Sequence, residues 1–169
     1  MDAAAVLDVV NGDLSLDALG SGEFHTISGS FTFFNSLGSI NINANTTFSG
    51  STLGIASDIH IAPNASLIVH GSLFLDGCRV DGTAPYYMLV NSGASFTMAR
   101  CEVLNAPINI VGNDATLHDN HFTDSSVAAF STVNGAKIYH NIFTGTGGLS
   151  VLPGATVTTG RRQFRYDSY

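Results

Sequence analysis

Hydrophobic and polar residues alternate in short runs along the chain, and each run follows a glycine, asparagine or aspartate. They are Gly12-Asp13-Leu14-Ser15-Leu16, Gly29-Ser30-Phe31-Thr32-Phe33, Asn45-Thr46-Thr47-Phe48, Asn64-Ala65-Ser66-Leu67, Gly93-Ala94-Ser95-Phe96, Asp114-Ala115-Thr116-Leu117, Gly135-Ala136-Lys137-Ile138 and Gly154-Ala155-Thr156-Val157. Alternation over so few residues marks a half-buried strand, and the residue before it supplies the turn. The turn residues stand 17, 16, 19, 29, 21, 21 and 19 apart. All but one of these intervals suit a single coil. The long one, from Asn64 to Gly93, reads as a coil with an insertion, either at the turn cluster Asp81-Gly82-Thr83-Ala84-Pro85 or at an extra corner over Val69-His70-Gly71-Ser72. Helical character is expected only in the Ala3–Val10 run, with Asp2 as N-cap, as a lid over the first coil.

The runs are also an internal repeat. Ala115-Thr116-Leu117-His118-Asp119-Asn120-His121-Phe122-Thr123 returns 21 residues later as Ala136-Lys137-Ile138-Tyr139-His140-Asn141-Ile142-Phe143-Thr144. Aligning on Asn120 and Asn141 brings Cys78 and Cys101 into the same column, with Gly160 after them, in steps of 23, 19, 21 and 19. Leu75, Met98, Leu117, Ile138 and Val157 lie three residues earlier; Val80, Val103, Phe122 and Phe143 lie two later. A third run carries Tyr86/Met88, Ile108/Ile110, Val127/Ala129 and Leu149/Val151. Each repeat thus offers about three short strands. One coil cannot bury its inward side chains, whereas stacked coils pair their backbones and bury like on like, at roughly 1.5–3 kcal/mol per large side chain.

The small-x-aliphatic-x-x-Asn-x-aromatic coil, with Asn at the corner, resembles the right-handed parallel β-helix of pectate-lyase-like proteins, tailspikes and related surface proteins. The likeness is good over Gly71–Gly160 and loose over Gly12–His70. It implies an all-β, single-domain right-handed parallel β-helix (β-solenoid) of about 7–9 coils. The expected organisation is an N-terminal cap over 1–11, the β-helix over 12–160 and a basic, aromatic tail over 161–169. The resemblance implies no particular activity, because that fold carries lyases, hydrolases, adhesins and structural parts alike. The acidic calcium cluster with an arginine base of the family's lyases cannot be laid onto this chain residue by residue, nor can the close aspartates of its hydrolases.

Composition narrows the setting. Only 11% of the 169 residues are charged and Trp is absent, while small polar residues abound, which suits turn-rich β structure outside the cell or on a cell or virion surface. A net charge of -7 argues against nucleic acid as partner, since phosphate binding needs clustered Lys and Arg. No apolar run is long enough to span a membrane, and Met1–Val10 lacks the basic and apolar segments of a signal peptide. Asp2, Asp8, Asp13, Asp17 and Glu23 crowd one end, whereas Arg161, Arg162 and Arg165, interleaved with Phe164, Tyr166 and Tyr169, crowd the other. Opposite signs at the two ends of a stack whose strand edges are open lead us to expect head-to-tail self-association into a filament.

Candidate chemistry flanks the corner column. Arg100, Asp119 and His140 precede it by one residue, and Arg79, Glu102 and His121 follow it by one. Carboxylates beside Arg or His can serve acid–base work on a glycosidic bond or hold a glycan, but an exposed charge ladder explains the same residues. His118, His121 and His140 lack the partner spacing of a zinc site, so neither metal nor cofactor is expected. Cys78 and Cys101 fall on adjacent coils, as a disulfide or as stacked buried thiols. Asn120 and Asn141 read as an amide ladder bonding the turn backbone. Asn45-Thr46-Thr47 and Asn64-Ala65-Ser66 match the glycosylation pattern, for which chance suffices in so Asn-rich a chain. The expected function is non-enzymatic: a surface structural subunit that polymerises, with a glycan-binding adhesin or a polysaccharide lyase or hydrolase as the alternative.

Overall fold

The structure, a computed structural model, describes residues 39–49, 52–55, 58–82 and 87–160, together with the strands Val6–Asp8, Leu14–Leu16, His25–Ile27, Ser30–Phe33 and Gln163–Phe164. Successive strands go in turn to sheets A, B and C, of 8, 8 and 7 strands, and every pairing is between strands one turn apart. The chain is a parallel β-solenoid, and no helix occurs among the described residues. Fifteen strands, three per turn, make five successive turns between Thr52 and Val151.

The like-on-like columns follow from period-2 alternation in parallel register. On sheet A, Leu75, Met98, Leu117 and Ile138 stand one above another. On sheet B the column is Val80, Val103, Phe122 and Phe143, and on sheet C it is Leu67, Met88, Ile108, Val127 and Leu149. Through Phe143 on sheet B, and up to Leu149 on sheet C, these side chains are buried in a single core. The Phe122 and Phe143 rings stack at 4.8 Å between centroids. Among the described residues, no strand of sheet C contains Asp, Glu, Lys or Arg, so these strands carry no formal charge.

Corners are made by single left-handed residues. Gly77, Arg100, Asp119 and His140 occupy this conformation between sheets A and B, and Asn105, Asp124 and Gly145 between sheets B and C. One such residue redirects the chain, and for side chains other than Gly, Asn and Asp it costs about 1–2 kcal/mol. At the second corner Gly147 is forced by close approach, because a Cβ there would sit 2.0 Å from the Ser125 carbonyl oxygen.

Three expectations are corrected. The long interval from Asn64 to Gly93 comes from a change of sheet: Asn64 leads into a strand of sheet C, Ser66–Val69, and Gly93 into one of sheet A, Ser95–Ala99, while Thr83, Ala84 and Pro85 of the expected insertion lie outside the described residues. Within sheet C the spacing is regular, with Ser66 opposite Tyr87, and His70–Gly71 is an ordinary corner bonded to the Phe48 carbonyl. Of the run expected to be helical, Val6–Asp8 is a strand paired with Ser30–Thr32, its ladder set by the turn above; the rest of that run, like Asp2, lies outside the described residues. On the last turn Ile138 faces Thr159, and Val157 faces Ala136, because the turn repeats the 21-residue step that sets Leu117 under Ile138 and not the step of 19 implied by placing Gly160 at the corner; a register shift also falls between Asn134 and Ala136, at the left-handed Gly135.

Candidate functional site

The corner between sheets A and B carries the densest side-chain chemistry, and its inner column is cross-bonded rung to rung. Asn141 Oδ1 accepts from the Asn120 backbone N–H and from Asn120 Nδ2, both at 3.0 Å, while Asn141 Nδ2 donates to the Leu117 carbonyl at 2.9 Å. Asn120 repeats the pattern, accepting from the Cys101 N–H and donating to the Met98 carbonyl, each at 2.9 Å. The amides therefore satisfy backbone groups that the corner withdraws from the ladders. Below them Cys78 and Cys101 are free, buried thiols with sulfurs 3.3 Å apart. Cys101 Sγ donates to the Ala99 carbonyl, which leaves Cys78 to donate to Cys101. That hydrogen bond, and burial after it, push the Cys78 thiol up and keep it protonated.

Outside this column the predicted triplet Arg100, Asp119 and His140 does line the corner, all three left-handed. The Asp119–His140 pairing one rung apart follows the expectation, whereas Arg100 departs from it. Arg100 pairs with Asp76, on the turn below, and Asp119 is held by His118 Nδ1 at 2.8 Å and His140 Nδ1 at 3.5 Å. The His118 hydrogen bond, and then the charges of His118, His140 and Arg100, hold the Asp119 carboxyl below its usual range. His118 also stacks flat on Tyr139 at 5.2 Å.

The second predicted triplet stands in register on sheet B, Arg79 opposite Glu102 and Glu102 opposite His121. Arg79 turns away from Glu102: its Nε donates to Asp81 Oδ2 at 3.0 Å, and its backbone N–H donates to Asp58 Oδ1 at 3.2 Å. His60 Nδ1 meets the other oxygen of Asp81 at 2.5 Å. His121 Nε2 lies 3.2 Å from Thr144 Oγ1. Sequence reasoning missed His60, Asp81, Asp58 and Asp76. The signal was available, since His60 and Asp81 stand 21 residues apart, one repeat, just outside the corner positions.

Comparison with known protein families, characterised proteins and solved structures finds no match. The chemistry must therefore be weighed on these residues alone. Among the described residues, the two carboxylates with displaced pKa values move down, Asp119 as above and Asp124 through hydrogen bonds from the Thr146 backbone N–H and hydroxyl. A general acid for glycoside cleavage needs the opposite displacement. Among the described residues no three His, Cys, Asp or Glu side chains converge as a metal site, and His118, His121 and His140 are spent on Asp119 and Thr144.

Of the residues predicted at the ends, Asp8 lies in the first strand and Phe164 in the last, where it pairs with Phe143. Asp2, Asp13, Asp17, Glu23, Arg161, Arg162, Arg165 and Tyr166 lie outside the described residues. Among the described residues, the last turn is open at its rim. Gly148–Val151 and Thr156–Thr159 end sheets C and A, and inward-register Val151 is 42% exposed where Ala129, one turn below, is 0%.

Proposed function

We propose that the chain is a structural β-solenoid of the right-handed, pectate-lyase-like kind, working outside the cell or on a cell or virion surface, whose copies associate head to tail into a filament. The observation that carries this reading is the rim of the last turn: two terminal strands with no strand beyond them among the described residues, and Leu149, Val151, Ala155 and Val157 only partly covered or exposed. An edge of unpaired N–H and C=O groups above apolar side chains is a template for one more turn. A second copy supplies that turn at its opposite end, in a heterologous contact that continues indefinitely when the rotation does not close.

Sedimentation and negative-stain electron microscopy of the purified chain test this. Fibres or concentration-dependent oligomers are expected, and Val151→Lys with Val157→Lys is expected to leave a folded monomer. Removal of Arg161–Tyr169 is expected to do the same. A wild-type chain that stays monomeric, or assembly indifferent to both changes, overturns the proposal.

A second reading, a glycan-binding face, has the His60–Asp81–Arg79–Asp58 network in its favour, because it fixes donors and acceptors on a flat sheet. Retention on a polysaccharide panel, lost in Arg79→Ala, supports it. No retention on any member, or retention unchanged in the variant, counts against it.

A further inference from the structure

We propose that Cys78 and Cys101 are a redox-responsive dithiol that closes to a cystine, locking two consecutive turns together at the corner between sheets A and B. The placement is unambiguous. Asp76 faces Ala99 and Arg79 faces Glu102, so the intervening residues run in register and Cys78 lies directly under Cys101. Stacked rungs in a sheet are about 4.8 Å apart, inside the Cα separation of about 4.4–6.8 Å that a disulfide spans. The sulfurs stand at 3.3 Å, so closing to about 2.05 Å needs a small rotation of each side chain and no movement of the backbone. That backbone is held: Gly77 N–H donates to the Ala99 carbonyl at 2.9 Å, Glu102 N–H to the Cys78 carbonyl at 3.0 Å, and Cys101 N–H to Asn120 Oδ1 at 2.9 Å.

The corner column gives the pair its meaning. Asn141 and Asn120 link their side chains by strong amide hydrogen bonds, whereas the side chains of the two rungs below meet in a weak S–H···S contact. Oxidation turns that weak contact into a covalent one. With a peroxide as oxidant the steps balance. The Cys101 sulfur attacks one peroxide oxygen, giving a sulfenic acid and releasing hydroxide, which takes up the thiol proton as water. The Cys78 sulfur then displaces the sulfenic oxygen, which leaves as a second water, and the disulfide forms. Two thiols lose two electrons in all, and the peroxide gains them. Both sulfurs are buried, so the reaction runs through brief opening of the corner, and the finished bond is shielded from reductants in the same way.

The test treats the full chain with hydrogen peroxide under native conditions. Both thiols are expected to disappear together and the mass to fall by that of two hydrogen atoms. Trypsin should release a cross-linked pair joining the peptide that ends at Arg79 to the one that begins at Cys101. The oxidised chain should melt roughly 5–10 °C higher than the reduced one, because a closed loop of this length restricts the unfolded chain. Cys78→Ser and Cys101→Ser, each keeping one thiol, should show no such rise. Thiols that stay intact in the native chain but oxidise once it is unfolded would overturn the proposal. So would sulfinic or sulfonic products without a cross-link, bonds between chains in place of within them, or a lower melting temperature after oxidation.

Discussion

Replacing Asn141 with alanine removes the upper member of the corner amide ladder. Its side chain is buried, and it makes three bonds: it accepts from the Asn120 backbone N–H and from Asn120 Nδ2, and it donates to the Leu117 carbonyl. Asn120 Nδ2 keeps the Met98 carbonyl as partner. The Asn120 N–H and the Leu117 carbonyl each lose a partner in a site water cannot easily reach. At about 1–3 kcal/mol per buried polar group left unsatisfied, the change should cost about 2–6 kcal/mol. Urea unfolding followed by circular dichroism reads this. With a slope of about 2 kcal/mol/M, the midpoint should fall by about 1–3 M. The matched control is Asn113→Ala, whose Oδ1 accepts from the Asn134 N–H at 2.8 Å on the surface, where water can replace it. That change should stay within about 0.5 kcal/mol of wild type. A loss at Asn141 no larger than at Asn113 would refute the idea that the ladder holds the corner by satisfying buried backbone.

Phe122 is fully buried and stacked on Phe143, so Phe122→Ala should cost about 3–5 kcal/mol by the same unfolding measurement, and a loss below about 1.5 kcal/mol would contradict the continuous core. Gly147→Ala should be poorly tolerated, since its Cβ would meet the Ser125 carbonyl at 2.0 Å, whereas Gly77→Asn, at an open left-handed corner, should fold normally; equal melting temperatures for the two would argue against this corner geometry. Asp119 should titrate below its ordinary value of 3.8 in carbon-detected NMR. Because its folded pKa is lowered, its ion pairs add stability above the unfolded value, and that stability is lost as pH falls through the folded pKa. A midpoint at or above 3.8 would show that His118 does not hold it.

Much of this architecture was readable because burial in a stack selects like residues at a fixed interval. Val80, Val103, Phe122 and Phe143 form the column their spacing implied, and Asn120 and Asn141 the amide ladder. The assignment of turns to sheets was not readable, for a physical reason. Asn64 and Gly93 both adopt positive φ, at 64° and 79°, so the same local chemistry opens a strand of sheet C in one case and of sheet A in the other. Side-chain pairing was equally hidden. Column arithmetic sets Arg100 against Asp119, but a long guanidinium arm reaches back 24 residues to Asp76, and Arg79 bends along its own strand to Asp81. Long flexible side chains choose among several carboxylates within reach, and spacing alone does not rank them.

The absence of formal charge along the described strands of sheet C makes the electrostatic field of the rod lopsided about its long axis. Ionised groups on the other two flanks resist approach to any material of low permittivity, since they would have to give up hydration, and these strands carry none to dehydrate. A solenoid lying against such a boundary therefore has a preferred roll angle, with sheet C inward and the Asp58–His60–Arg79–Asp81 flank still bathed in water.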